Sequence, residues 1–275
     1  MSEKNILNKS IDKAFYGGIS GFTAMGAQVT TLMWLRTTMN YQYRYGGNFT
    51  GTLTKLYNQG GIFRFYKGYP VAMMMGPISR FSDTASNTFA MTYLEQYNLS
   101  TTSKTILGSG IASINRIFLM PLDTLKTSLQ VNSNSGIKDI RNKIKTNGIR
   151  TLYNGSLAAV SATFVGHYPW FLTYNLLNEN LPKTEDNKIK FLRNGFIGFS
   201  SALVSDISSN SLRVIKTNKQ TFNTDKSYRY VVKDIIKNDG ILGLFGRGLK
   251  TRILTNGIQG FFFVVIWKYI EEQLK

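Results

Sequence analysis

The 275 residues carry 33 Lys and Arg against 15 Asp and Glu, giving a formal net charge of +18 and a pI near 9.9. A basic excess of this size implies contact with nucleic acid, a phospholipid surface or an anionic solute. With no cysteine and one histidine, His167, there is no disulfide framework, no thiolate metal site and no thiol nucleophile, and little with which to build a metal centre.

The opening segment MSEKNILNKS has neither the apolar core of a signal peptide nor the arginine-rich pattern of a transit peptide, so any organelle address is expected inside the chain. A bilayer-crossing helix needs about 20 mostly apolar residues. Residues 15–35 offer an uncharged run; 69–94 carries Arg80 and Asp83; 105–126 carries Arg116 and Asp123; 152–177 has His167 as its one titratable base; 192–216 carries Asp206; 256–267 is uncharged. Lipid-facing positions must be apolar, but a helix lining a wet cavity tolerates charge on its inner face. Six such weak spans account for the mean hydropathy of −0.13 better than a soluble helical core does.

Self-comparison divides the chain further. TLMWLRTTMN (31–40), PLDTLKTSLQ (121–130) and SLRVIKTNKQ (211–220) put Arg36, Lys126 and Lys216 in one column and Thr37, Thr127 and Thr217 in the next. Each block is followed by a polar connector and an amphipathic segment that ends in glycine: 51–68, 137–155 and 230–248. The unit is a helix with a polar end, a surface helix and a second helix, and it occurs three times. The boundaries fall at 11–98, 99–185 and 186–275 within one membrane domain of residues 1–275.

Pro121, Asp123 and Lys126, with Gln130 after them, form P-x-D-x-x-K followed by G-x-x-x-L-Y-x-G in a tripled pattern, and this resembles the mitochondrial carrier family over the whole chain. The resemblance implies six tilted transmembrane helices around a central cavity, three short matrix-side helices, and alternating access between two gates. It also implies the mitochondrial inner membrane, although carriers of this fold serve other organelles too. Proline at 121 is expected to kink its helix and bring the polar ends together at a matrix gate of Arg36, Asp123, Lys126, Gln130, Lys216 and Gln220. In the family an acid of one repeat pairs with a base of the next and glutamine braces the pair. Here Thr31 and Ser211 replace the proline, and Met33 and Arg213 replace the aspartate. Asp123 is therefore the sole motif acid, Lys216 its expected partner, and Arg36, Lys126 and Arg213 have no acid from the motif.

The cytosolic gate pattern, aromatic-acid-x-x-base, is nearly absent: Tyr174, Asn175 and Asn178 stand there in repeat two, Trp267, Lys268 and Glu271 in repeat three, and Asn87 and Met91 in repeat one. Counting seven and eight residues on from Gly68, Gly155 and Gly248 reaches Met75 and Gly76, Ala162 and Thr163, Thr255 and Asn256, which align with the family's substrate contact points. One turn further come Ser79 and Arg80, Gly166 and His167, and Gln259 and Gly260. Arg252 resembles a family position that binds substrate or gates. Gly26, Arg116 and Asp206 share a register on the odd helices.

Each candidate has a plainer reading. Arg116 and Asp206 can form a structural ion pair, Arg80 can pair with Asp83 on its own helix, His167 can pack beside Tyr168 and Trp170, and Met73 to Met75 can serve packing. Taken together, Arg80, Arg116, Arg252 and His167 against Asp206 favour an anionic solute held by guanidinium groups; nucleotide, carboxylate and amino acid all remain open. Anionic lipids are expected against the matrix segments. Nucleic acid is not expected, since the bases are spread over every repeat. No cofactor, no metal and no enzymatic chemistry are expected, because no nucleophile and base stand at a suggestive spacing and no phosphate loop occurs. A monomeric solute transporter is the reading, with a non-transporting or membrane-shaping protein of the same fold as its alternative.

Overall fold

The structure is a computed structural model and describes residues 26, 28–94, 97, 101–184 and 186–259. These residues are helical throughout, joined by short turns. Helix α1 covers 28–45, followed by α2 (Phe49–Asn58), α3 (Gly61–Phe65) and α4 (Tyr69–Tyr93). Next come α5 (Thr101–Asn132), α6 (Ser135–Asn147), a 3₁₀ turn (Ile149–Tyr153) and α7 (Ser156–Asn180). The last stretch holds α8 (Asn187–Thr221), α9 (Tyr228–Gly246), which kinks at Gly240, and α10 at 249–259.

Helix starts follow their capping residues. Asn48 Oδ1 accepts from Gly51 N at the head of α2, Asp186 Oδ1 from Lys188 N at the head of α8, and Ser227 Oγ from Tyr230 N at the head of α9. Each satisfies an amide that the first helical turn leaves unpaired. Pro77, Pro121 and Pro169 lie inside α4, α5 and α7, and each helix continues past its proline.

The long helices pack as neighbours: α4 lies along α5, α5 against α7, and α7 along α8. Buried apolar clusters fix the rest. Val29 and Met33 of α1 meet Ala72 of α4, and Tyr43 of α1 joins Val214 of α8 with Val231 and Ile235 of α9. The second cluster brings the first helix against the last third of the chain, so the bundle closes on itself.

Three joints repeat around that closure. Gly68, Gly155 and Gly248 open α4, α7 and α10 with φ of +82°, +86° and +67°, a conformation that glycine adopts without cost. A Cβ there would lie 3.0 Å from Leu129 Cβ of α5, 3.1 Å from Lys216 O of α8 and 2.7 Å from the Tyr43 ring of α1, respectively. A base reinforces each joint. Arg64 donates to Gln130 O and Val131 O at 2.8 Å each, Lys143 to Gln220 O at 3.1 Å, and Arg247 to Arg44 O at 3.0 Å. Cations thus meet the unpaired carbonyls at the C-terminal ends of α5, α8 and α1.

Helix α8, at 35 residues, is about 50 Å long at 1.5 Å per residue. No helix among the described residues is long and apolar enough to cross a membrane. The reason is visible on α5, where Ser109, Ser113, Asp123, Thr124, Thr127 and Ser128 are all buried and dilute the apolar run. Most of 15–35 and of 256–267 lies outside the described residues.

Candidate functional site

Asp123 sits on α5, 4% exposed, where three donors converge on its carboxylate. Oδ1 accepts from Lys126 Nζ of the same helix at 2.8 Å, while Oδ2 pairs with Lys216 Nζ of α8 and accepts from Gln220 Nε2 at 3.1 Å. Gln220 Nε2 also lies 3.1 Å from Thr124 Oγ1. The expected Asp123–Lys216 pair is present. Lys126, read as having no acid from the motif, takes Asp123 as its partner, because one helical turn brings the two side chains onto the same face. Of the two glutamines assigned to the gate, Gln220 braces the pair. Gln130 instead accepts from Asn40 Nδ2 of α1 at 2.5 Å.

This cluster borders a cavity of about 300 Å³. Met75, Gly76 and Ser79 of α4, Arg116 of α5, and Arg252, Thr255, Asn256 and Gln259 of α10 line it together with Arg36, Asp123, Lys126, Gln130 and Lys216. A smaller cavity of about 80 Å³ is lined by Ala162 and Thr163 of α7 and shares Met75, Arg116, Asp123, Arg213 and Lys216 with the first. Most residues picked from register therefore meet around one polar space.

Three assignments come out differently. Asp206, buried on α8, was matched with Arg116, but its Oδ1 accepts from Arg252 Nε of α10 at 2.5 Å and its Oδ2 from Asn256 Nδ2. Arg116 Nη1 instead donates to Ser79 Oγ of α4. Equal register fixes depth but not reach, and α7 packs against both α5 and α8. His167 lines neither cavity. Its Nδ1 is 3.0 Å from Ser109 Oγ and its ring meets Phe171 edge-on. Arg80 belongs to α4, but its side chain and that of Asp83 lie outside the described residues, as do Gly260, Trp267, Lys268 and Glu271 and the side chains of Asn87 and Met91.

Sequence reading missed Met39, Asn40, Tyr43, Ala72, Arg213 and Thr217 as cavity residues. Arg213 and Thr217 had a signal, since helical spacing puts them on one face with Lys216. At the other end of α7, Arg193 of α8 donates to Asn178 Oδ1 at 3.0 Å and to Asn178 O at 2.7 Å, and Tyr174 stacks on Trp170 at 5.2 Å between ring centres. The last turn of α7 is thus held by neutral partners and one guanidinium.

A family model described as mitochondrial carrier protein matches residues 97–185 and 187–275, well over half of the chain. The chain belongs to the mitochondrial carrier family. Members of this family are transporters, not enzymes. Among curated relatives, the rat mitochondrial 2-oxodicarboxylate carrier is 24% identical over 229 residues, covering 78% of this chain and 76% of its own. The Candida albicans mitochondrial thiamine pyrophosphate carrier 1 is 25% identical over 186 residues, covering 62% and 60%. The Saccharomyces cerevisiae peroxisomal adenine nucleotide transporter 1 is 25% identical over 185 residues, covering 55% and 56%. The chain thus spans little more than half the length of the latter two relatives.

Proposed function

We propose that this mitochondrial carrier moves a small anionic metabolite across the mitochondrial inner membrane by alternating access, through six tilted helices in three repeats bounded at 11–98, 99–185 and 186–275. The observation that carries the reading is the juxtaposition of a polar, arginine-bearing cavity with the buried Asp123, Lys126, Lys216 and Gln220 cluster. Asp123 on α5 and Lys216 on α8 belong to different repeats, so their pair is a lock that must break for the cavity to open at that end. The mixed faces of α4, α5 and α8 fit helices whose inner side is wet. The names of the relatives, which specify oxodicarboxylate, thiamine pyrophosphate and adenine nucleotide, support a small-metabolite cargo. A non-transporting scaffold would leave the charges of the cavity without a use.

The test is uptake into proteoliposomes of labelled nucleotides, oxodicarboxylates and amino acids. Saturable uptake of at least one anion is expected, with about a tenfold or greater loss in Arg252→Ala, which removes a cavity guanidinium and strands Asp206. No uptake above protein-free liposomes, from protein that unfolds cooperatively, would reject transport.

A further inference from the structure

Helix α8 is tied to repeat two near both of its ends, by different chemistry. Near one end Lys216 Nζ pairs with Asp123 of α5, and the backbone carbonyl of the same lysine lies against Gly155, where α7 begins. Near the other end Arg193 grips the last turn of α7. Its Nη1 donates to Asn178 Oδ1 at 3.0 Å and lies 3.4 Å from Asn194 Oδ1, and its Nη2 donates to Asn178 O at 2.7 Å and to Leu181 O at 3.3 Å. A helix leaves its last carbonyls without partners of its own, and a guanidinium placed there also meets the negative end of the helix dipole. Arg193 Nε is enclosed by protein, so water competes little for these bonds. The connector 181–186 closes the same end covalently, and Asp186 anchors it by accepting from Lys188 N and Ile189 N at the head of α8.

The two ties differ in what parting them gains. Breaking the Asp123–Lys216 pair releases two charges that water solvates well once the cavity opens at that end. Breaking the Arg193 grip strips backbone carbonyls of their partners, while the connector still keeps the two helix ends together. Asn175 and Asn178, which stand where the family pattern has an acid and a base, are neutral and do not draw the guanidinium away by charge. The same register holds Ser103 in repeat two and Lys13 in repeat one, so an arginine here belongs to this seam alone.

We propose that Arg193 is a positioning residue for transport, holding this end of the α7–α8 seam as the fixed point about which α8 swings when the Asp123–Lys216 pair breaks. The proposal rests on the transport reading. Lys216 lies about 35 Å along α8 from Arg193 at 1.5 Å per residue. A tilt of about 10° about the fixed end therefore carries the lock end about 6 Å, farther than an ion pair spans.

Two kinds of variant separate a fixed point from a gate that must part. Arg193→Gln loses the grip, and uptake of labelled nucleotides, oxodicarboxylates and amino acids into proteoliposomes reads the effect. The maximal rate is expected to fall at least about fivefold, with the half-saturating concentration within about twofold of the parent, because Arg193 lines neither cavity. Arg193→Lys, which keeps the charge but not the fork of donors, should recover only part of the rate. Asn178→Cys with Asn194→Cys keeps Arg193 and places one thiol on α7 and one on α8 beside its guanidinium, in a chain that holds no other cysteine. Joining these thiols with a short bismaleimide should leave uptake within about twofold of the untreated variant, and should restore the rate when Arg193→Gln is added. Loss of uptake on tethering would show that these ends part during the cycle, and overturns the proposal. So does an unchanged rate in Arg193→Gln, or no recovery when that variant is tethered. If Arg193→Gln does not fold, the tether in the chain that keeps Arg193 decides. A parent chain that takes up none of the panel fails transport itself, and the fixed point with it.

Discussion

Asp123→Asn removes the one carboxylate that Lys126 and Lys216 share, and leaves two ammonium groups facing each other in a site that excludes most solvent. Stranding a buried charge in this way costs about 3–5 kcal/mol. A fall in Tm is expected, partly reversed when Lys216→Met is added; a single variant as stable as the parent would show that the pair contributes nothing. Asp206→Asn tests the corrected pairing in the same way. If Arg252 depends on Asp206, Arg252→Met should add little to the loss already caused by Asp206→Asn, whereas additive losses would place the two side chains in separate interactions. Lys216 was legible because a base recurs in its column of the three aligned blocks, and its pairing with Asp123 followed from the family resemblance, in which an acid of one repeat meets a base of the next. The partner of Asp206 was not, because periodicity along a helix gives depth and face, while reach depends on which neighbour packs alongside.

Two features of the elements carry predictions of their own. Gly155 stands at φ +86°, and a Cβ would meet Lys216 O at 3.1 Å. Gly155→Ala should therefore cost about 1–3 kcal/mol by combining backbone strain with a clash against α8. An unchanged Tm would mean that the joint between α7 and α8 is looser than drawn. Lys143 on α6 is buried, and that burial pulls its ammonium down to about 8 from 10.5, against the raising influence of Asp139 and Asp225. The sign follows directly: below pH 8 the folded protein bears the full cost of a buried charge, and as pH rises towards 10.5 the folded state sheds the proton that the unfolded chain keeps. Stability of the parent relative to Lys143→Gln should thus rise between about pH 8 and 10, by on the order of 2 kcal/mol. A flat difference in Tm over that range would reject it. The glycine that ends each amphipathic segment was visible in the sequence, whereas the use of Lys143 as a cap for α8 was not, since nothing in the spacing of α6 points to a carbonyl 77 residues away.

At the scale of the whole molecule, closure is cyclic but its lock is not. Glycine joints and basic caps link α4 to α5, α7 to α8 and α10 to α1 in like manner, yet the pair of Asp123 with Lys216 ties only α5 to α8. At the seam between α1 and α8 the aligned blocks put Arg36 and Arg213 where Lys216 and Asp123 stand at the seam between α5 and α8. The Asp123–Lys216 pair is by itself a modest barrier, because its Coulomb gain is set against the cost of desolvating both charges, so weakening it should let the cavity open more readily at this end. The absence of cysteine makes this measurable, since any introduced thiol is the sole one. Ser79→Cys places a thiol on the cavity wall. In vesicles of defined orientation, a membrane-impermeant maleimide should modify it from one face in the parent background. Adding Asp123→Asn should make it reactive from the opposite face as well, with a rate increase of about tenfold for each 1.4 kcal/mol lost from the lock. Equal labelling from both faces without the second substitution would mean that this cluster does not close the cavity. No gain with it would mean that the barrier lies in the packing of the helix ends, among Thr37, Thr127 and Thr217, all of which are buried.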